Sequence, residues 1–156
     1  MMIKHCGIYV QNIDKMTSFY KSIFDMYEVF NGIQENSFLL DELLEEKHSR
    51  IKVVKLITEY GKIQGIGDML ELIEVIPARE QEPCCSTPIW QYGTIHIAFN
   101  VADIEDVVDK IILAGGQQKT QILDMGNGRL CCFCVDPENN WLELISPISN
   151  TKNTSL

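Results

Sequence analysis

The chain has 156 residues, of which 46% are hydrophobic and 22% charged, a balance that is typical of a folded protein and excludes disorder. Its formal net charge of −9 offers no basic surface for phosphates, which excludes nucleic acid as a partner. No apolar run is long enough to span a membrane, and the N-terminus lacks the pattern of a signal peptide. We therefore expect a cytoplasmic protein whose six cysteines are reduced thiols.

The first part of the chain, residues 1–77, is predicted to form a module of strands around one main helix. Strands are predicted over residues 3–11, 26–33, 50–58 and 67–76. Apolar residues at helical spacing predict a helix over 12–25, with Ile13, Met16, Phe19, Tyr20, Ile23 and Phe24 on its buried face. Residues 34–49 predict a short helical insert with Phe38, Leu39, Leu43 and Leu44 on one side.

A second module is predicted over residues 92–148, after a linker over 78–91. Three of the five prolines fall at or beside that linker. Asp103 suits a helix N-cap and Gly115-Gly116 a helix stop, so a helix is predicted between them, with Ile104, Val107, Val108, Ile111 and Ile112 buried. Strands are predicted over residues 93–101, 117–125, 128–136 and 140–146, followed by a loose tail over 149–156.

The two modules repeat one another as βαβββ. His5 and His96 begin equivalent strands, and Val10 and Val101 follow them at the same distance. The four letters LELI occur at residues 70–73 and again at 142–145, so each module ends with a glutamate between leucines. The sequence therefore predicts an internal duplication.

The repeated glutamates predict a metal site. Strand alternation places Glu71 on one face with Met69 and Ile73, and Glu143 with Trp141 and Ile145. A carboxylate among such apolar groups is costly unless something neutralises it, and a divalent cation would do so. A mixed nitrogen and oxygen ligand set suits Ni, Co, Mn, Fe(II) or Zn, and the predicted ligands are His5, Glu71, His96 and Glu143.

Two ordinary interpretations compete with this one. A single glutamate on a strand usually faces solvent, and a single histidine is more often a packed or surface residue than a ligand. Their coincidence at equivalent positions of a duplicated module favours the metal site, whereas His48 is predicted to be a surface residue. The cysteines lack the paired spacing of a structural zinc site and are predicted to be small buried hydrophobes: Cys84, Cys85, Cys131, Cys132 and Cys134.

Over residues 3–148 the chain resembles the vicinal oxygen chelate superfamily. This superfamily includes glyoxalase I, methylmalonyl-CoA epimerase, extradiol dioxygenases, fosfomycin-resistance enzymes and bleomycin-resistance proteins. The similar segments are KHCGIYVQNIDKMTSFYKSIFDM, IHIAFNVADIEDVVDKIILAGG and DPENNWLELIS. The resemblance implies an α+β fold, in which two tandem βαβββ modules form an open, curled mixed sheet around a metal-binding cup.

The His/Glu/His/Glu set is similar to that of glyoxalase I and implies a metal-dependent, lactoylglutathione lyase-like enzyme. The implied chemistry is isomerisation by proton abstraction beside a carbonyl, with a metal-stabilised enediolate. The resemblance implies Glu143 as the base, with Glu71 as the second candidate. It also implies a small-molecule substrate and a homodimer, while leaving open whether the four ligands meet within one chain or across two.

Several alternatives remain at this stage. The same centre would suit an epimerase or an Fe(II) dioxygenase, and a metal-free protein that binds a small drug-like molecule is the alternative from another class. The cationic phosphonate and potassium sites of the fosfomycin enzymes are not found in the sequence. The arginines that would bind glutathione in glyoxalase I are not matched by Arg50, Arg79 or Arg129. The insert at 34–49 is either a lid over the site or a packing or dimer helix.

Overall fold

The computed structural model describes residues 3–65, 67–78, 87–126 and 128–147. The chain divides into two compact units, Met1–Glu82 and Pro83–Leu156. Most of the predicted linker, including Cys84 and Cys85, and the whole predicted tail lie outside the described residues. Each unit has its own open mixed sheet, so the predicted α+β class is confirmed with two sheets in place of one continuous sheet.

The first unit contains four strands and three helices. In chain order they are β1 (Cys6–Tyr9), α1 (Ile13–Phe24), β2 (Tyr27–Gln34), α2 (Phe38–Leu44), β3 (Arg50–Ile57), α3 (Glu59–Gln64) and β4 (Met69–Ile76). The strand order in the sheet is β1-β4-β3-β2, where β1 runs parallel to β4 and the other pairs are antiparallel.

Helix α1 matches its prediction closely. Its first turn is capped by Asn12, whose side-chain oxygen accepts a hydrogen bond from the Lys15 backbone N–H at 2.9 Å. The helix ends where Asp25 adopts a left-handed conformation. Its predicted apolar face is buried at Ile13, Met16, Phe19, Tyr20 and Ile23. This face packs against β3 and β4, where Leu70 and Leu72 are buried.

The insert helix α2 packs differently from its prediction. The buried residue is Leu40, which forms a cluster with Ile51 and Val53. Leu44, Ile73 and Val75 pack against this cluster. Phe38, Leu39 and Leu43, which the sequence predicts on one side of this helix, are exposed. A seven-residue helix offers less than two turns to its sheet, so little of its apolar surface reaches the core.

Helix α3 was not predicted from the sequence. It has six residues, and the Thr58 side chain caps it by accepting a hydrogen bond from the Gly61 backbone N–H at 3.0 Å. It ends at Gly65, which has a φ of 69° that favours glycine. A helix of about one and a half turns is too short to show apolar periodicity in the sequence.

The second unit repeats the arrangement. Its elements are β5 (His96–Asn100), α4 (Ile104–Leu113), β6 (Gln117–Gln118), β7 (Leu123–Asp124), β8 (Arg129–Val135) and β9 (Trp141–Pro147). The strand order is β5-β9-β8-β6, and β7 also pairs with β8. Strands β5 and β9 are parallel, as β1 and β4 are in the first unit. The duplication extends to single hydrogen bonds: Val10 N–H donates to Ile73 O, and Val101 N–H donates to Ile145 O, both at 2.8 Å.

The predicted strand over 117–125 is interrupted. The backbone N–H groups of Lys119 and Thr120 both donate to the Phe133 carbonyl, at 2.8 and 3.2 Å. The Thr120 hydroxyl accepts in turn from the Phe133 N–H at 2.9 Å. Two residues therefore meet one residue of β8, which breaks the regular pairing and leaves the short strands β6 and β7.

Helix α4 begins and ends as predicted. Asp103 accepts hydrogen bonds from the backbone N–H groups of Glu105 and Asp106, and Gly115 follows the helix with a φ of 93°. Ile112 is 47% exposed, so its predicted burial was wrong; it lies at the edge of the stripe formed by Ile104, Val107, Val108 and Ile111. None of the helices in the described part of the chain is long and apolar enough to cross a membrane.

Candidate metal centre

The first unit brings His5 and Glu71 together. Glu71 on β4 lies directly opposite Gly7 on the parallel strand β1, and His5 stands one position before that strand begins. The His5 Nε2 and Glu71 Oε2 atoms are 3.2 Å apart. Glu71 is largely buried, with 13% of its side chain exposed, whereas the His5 side chain is 37% exposed. The strand is shorter than predicted, but it still aligns the two side chains.

The other carboxylate oxygen of Glu71 has a partner that the sequence analysis missed. Lys55 on β3 is in direct register with Glu71, and its Nζ lies 3.1 Å from Glu71 Oε1. The same Nζ lies 5.7 Å from the centre of the Phe30 ring on β2. Glu71 is therefore neutralised by an ammonium group within its own sheet.

The second unit brings His96 and Glu143 together in the same way. His96 opens β5, and Glu143 on β9 lies directly opposite Ala98. The His96 Nε2 and Glu143 Oε2 atoms are 3.0 Å apart. The Glu143 side chain is 17% exposed and the His96 side chain 42%. Gly7 and Ala98 thus hold equivalent positions, each two residues after a histidine and opposite a glutamate.

The surroundings of Glu143 differ from those of Glu71. The Cys131 thiol donates a hydrogen bond to Glu143 Oε1 at 3.4 Å. Phe133 takes the register position opposite Glu143 that Lys55 takes opposite Glu71. Its ring meets the His96 imidazole edge-on, with 5.6 Å between the ring centres. The pair in the second unit is therefore flanked by a thiol and an aromatic ring.

The predicted alternation of both closing strands is confirmed. Leu70, Leu72, Leu142 and Leu144 are buried at 3% exposure or less. The two glutamates point to the opposite face and keep partial exposure. Each carboxylate thus lies on the face of its sheet opposite the buried leucines, next to one imidazole.

A family model matches most of the chain. The model of the Glyoxalase/Bleomycin resistance protein/Dioxygenase superfamily matches residues 2–144. The chain belongs to this superfamily. The resemblance stated from the sequence is confirmed.

The individual proteins that the chain resembles have low sequence identity to it. The chain is 27% identical over 161 residues to the lactoylglutathione lyase of Schizosaccharomyces pombe, covering 96% of this chain and 48% of the relative. It therefore spans about half the length of that curated relative. A glyoxalase family protein from Bacillus cereus has a similar structure, with a TM-score of 0.81, 16% identity and 94% of each chain covered.

A third comparison involves a metal. The fosfomycin resistance protein FosX of Listeria monocytogenes, in a mutant form complexed with Mn(II) and 1S,2S-dihydroxypropylphosphonic acid, has a TM-score of 0.58. The identity is 16%, with 97% of this chain and 92% of that chain covered. At this identity the similarity shows the fold that the superfamily shares.

The geometry within each His–Glu pair fits two ligands of one cation. When two ligand atoms occupy adjacent positions around one metal, each about 2.0–2.2 Å from it, the two atoms are separated by roughly 3 Å. The pairs are separated by 3.2 and 3.0 Å. Imidazole nitrogen and carboxylate oxygen are also the ligand types that first-row divalent metals accept. Within the described residues, no group of three or more His, Cys, Asp or Glu side chains is placed to hold a metal.

Other candidate residues of the sequence analysis lie away from these pairs. His48 is exposed, as predicted. Arg50 pairs with Glu35 at 2.7 Å, and Arg129 is exposed at the start of β8, while Arg79 lies outside the described residues. Cys132 and Cys134 are buried, as predicted. A hydrogen bond with Cys134 and burial raise the pKa of the Cys132 thiol.

The residues missed by the sequence analysis are Lys55, Cys131 and Phe133. Each reaches its glutamate through strand pairing, and the register of two strands is not visible in either strand alone. One signal for Lys55 was available, because a lysine interrupts the apolar run VVKLI of β3. A charged residue on the same face as a buried carboxylate is a candidate partner once the pairing is known.

Proposed function

We propose that this protein is a metal-dependent, glyoxalase I-like lyase or isomerase. The observation that carries the proposal is the repeated His–Glu pair, which each unit builds at the same register positions. A chain that uses its carboxylates only for solubility has no need to bury two of them at equivalent sites beside its two equivalent histidines. The similarity to a lactoylglutathione lyase supports the choice of reaction.

In this proposal His5, Glu71, His96 and Glu143 are the ligands of one divalent cation. The geometry within each pair supports its two donors, and the duplication supports their use together. A cation bound there would act as a Lewis acid on negative charge that develops on the substrate oxygens. Proton transfer is the task of the chain's own residues.

Glu143 is the proposed base. Its Oε1 meets a neutral thiol, whereas the same oxygen of Glu71 meets the Lys55 ammonium. Among the described residues Glu143 has no ion pair with a lysine or arginine, so its charge is available to a proton beside the substrate carbonyl. The Phe133 ring beside His96 restricts the space in which that imidazole can turn.

The first experiment is elemental analysis of the purified, untagged protein beside the Glu71→Ala/Glu143→Ala double variant. Glu74→Ala is the matched control, because Glu74 lies on β4 with Glu71 but on the opposite face, in register with Lys52. We expect near-stoichiometric Ni, Co, Mn, Fe or Zn in the wild type and the control, and its loss in the double variant. Absence of metal from all three, even after reloading, would contradict the proposal and favour a metal-free binding protein.

The second experiment tests the reaction. The protein is loaded with each metal in turn. Its activity is then measured in separate assays, one with methylglyoxal and glutathione or another thiol, and one with catechols. Turnover of the thiol adduct supports the lyase, and ring cleavage of a catechol supports a dioxygenase. If the glyoxalase assay stays silent with every metal, the lyase is excluded while the metal site stands on the elemental analysis.

A further inference from the structure

Lys55 belongs to a single row of side chains that crosses the first sheet. The row consists of Phe30 on β2, Lys55 on β3, Glu71 on β4 and Gly7 on β1, each in register with the next. Lys55 is held from both sides in this row, by the Phe30 ring at 5.7 Å and by Glu71 Oε1 at 3.1 Å. Only 28% of its side chain is exposed, so its ammonium is fixed and does not move freely in solvent.

The two oxygens of Glu71 are divided between two partners. Oε1 faces the Lys55 ammonium at 3.1 Å, and Oε2 faces the His5 imidazole at 3.2 Å. A carboxylate held this way has one orientation, because rotation about its last bond would break both contacts at once. A Cβ built on Gly7 would lie 3.9 Å from Oε2, an ordinary van der Waals contact, so Gly7 does not crowd this carboxylate.

Among the described residues of the second unit, no lysine or arginine pairs with Glu143 as Lys55 pairs with Glu71. Phe133 occupies the register position of Lys55, and the Oε1 atom of Glu143 accepts a hydrogen bond from the Cys131 thiol. A thiol is a weak donor without charge, so it holds a carboxylate less firmly than an ammonium does. The duplication is therefore not kept in this row, and the two glutamates have different partners.

We infer that Lys55 is a positioning residue of the proposed metal centre. It holds Glu71 Oε1 so that Glu71 presents a single oxygen, Oε2, beside His5 as a metal ligand. Glu71 is thereby kept in place as a ligand by an ammonium group, whereas the described partners of Glu143 are an imidazole and a thiol. This inference rests on the proposed function, because it assigns Lys55 a role only if His5 and Glu71 bind a metal.

The test is the affinity of the full-length, metal-stripped protein for Co²⁺ alone, measured by calorimetry. Lys55→Met removes the charge and the donor but keeps the length and apolar stem of the side chain. We expect its dissociation constant for Co²⁺ to rise about 10–100-fold, which is the usual effect of removing a group that orients a metal ligand. The matched control is Lys52→Met, because Lys52 lies on the same strand but pairs with Asp14 at 2.6 Å on the opposite face. Its affinity should match the wild type within about twofold.

A second measurement separates positioning from a general structural role. In a Glu71→Gln background, Lys55→Met should cause no further loss of Co²⁺ affinity, because the lysine acts through the carboxylate. An equal loss in both backgrounds would overturn the inference. Unchanged Co²⁺ binding by Lys55→Met would also overturn it. Tighter binding would overturn it as well, and would identify Lys55 as a counter-ion that competes with the metal. A wild type that binds no Co²⁺ would instead remove the proposed function, and the role of Lys55 with it.

Discussion

The Cys131 thiol donates its hydrogen bond to Glu143 at 3.4 Å, on the carboxylate oxygen that does not face His96. Burial, this hydrogen bond and the negative charge of Glu143 raise the pKa of Cys131 to about 11. The thiol therefore stays protonated at physiological pH and remains a donor. Cys131 thus acts as a neutral partner of the proposed base, in contrast to the charged partner of Glu71.

The reactivity of Cys131 tests this relationship. At pH 8, about three units below the pKa, roughly 0.1% of the thiol is ionised, so we expect slow alkylation by iodoacetamide. The rate should rise about tenfold per pH unit up to pH 10. The measurement is mass spectrometry of the peptide that carries Cys131, in protein stripped of metal.

Glu143→Gln should speed this alkylation, because it removes the negative charge and the carboxylate acceptor that favour the protonated thiol. Glu105→Gln on the exposed first turn of α4 is the control and should leave the rate unchanged. A Cys131 rate that does not depend on pH between 7 and 10 would contradict the raised pKa.

The same substitution tests catalysis. Glu143→Gln is expected to keep the fold but to lower turnover by about 10²–10⁴-fold, the usual effect of losing a general base. The measurement is kcat with the metal-loaded protein, together with its circular dichroism spectrum. Glu74→Gln on the opposite face of β4 should retain normal turnover. If Glu143→Gln had wild-type activity, Glu143 could not be the base.

The elements that were predicted correctly are those with strong local signals. Helix α1 has an Asn cap and an apolar stripe of more than three turns, and α4 has an Asp cap and a glycine stop. In the LELI strands, the leucines on one face predict the buried side, and they are buried in the structure. His5, Glu71, His96 and Glu143 were predicted as ligands because the same residue types recur at equivalent positions of the two modules. The structure pairs each histidine with its glutamate, and their role as metal ligands stays a prediction.

The elements that were missed depend on contacts distant in sequence. Helix α3 depends on the Thr58 cap and on Gly65 more than on apolar spacing. The break between β6 and β7 depends on Phe133, which lies on another strand. Lys55 and Cys131 come into contact with Glu71 and Glu143 only through strand pairing. Likewise, the exposed apolar residues of α2 follow from how short the helix is and how it meets Ile51 and Val53.

Metal binding should stabilise the fold measurably. A ligand present at 100 times its dissociation constant, and bound only by the folded protein, adds about 2.7 kcal/mol to the free energy of unfolding. We expect Co²⁺ to raise the midpoint of thermal unfolding and a chelator to reverse the rise. The Glu71→Ala/Glu143→Ala variant should show no response to Co²⁺, and Glu74→Ala should respond like the wild type. An equal response in the double variant would place the stabilising metal elsewhere.

Asp136 organises the turn before β9, the strand that carries Glu143. It is 1% exposed, and its Oδ1 accepts hydrogen bonds from the backbone N–H groups of Glu138 and Asn140, both at 2.9 Å. Its Oδ2 accepts a third, from Asn140 Nδ2 at 2.8 Å. This carboxylate therefore fixes the path of the chain just before Trp141. Trp141 begins β9 and precedes Glu143 by two residues.

Asp136→Ala is expected to lower the free energy of unfolding by about 2–4 kcal/mol, since it leaves donors without their acceptor in a part-buried turn. The measurement is the midpoint of urea unfolding. Asp124→Ala is the matched control, because Asp124 also accepts a turn N–H, from Gly126 at 2.7 Å, but is exposed and should cost less than about 1 kcal/mol. Equal losses in the two variants would show that the burial of Asp136 does not determine how much its hydrogen bonds add to the free energy of unfolding. A loss of Co²⁺ affinity in Asp136→Ala alone would tie the turn to the position of Glu143.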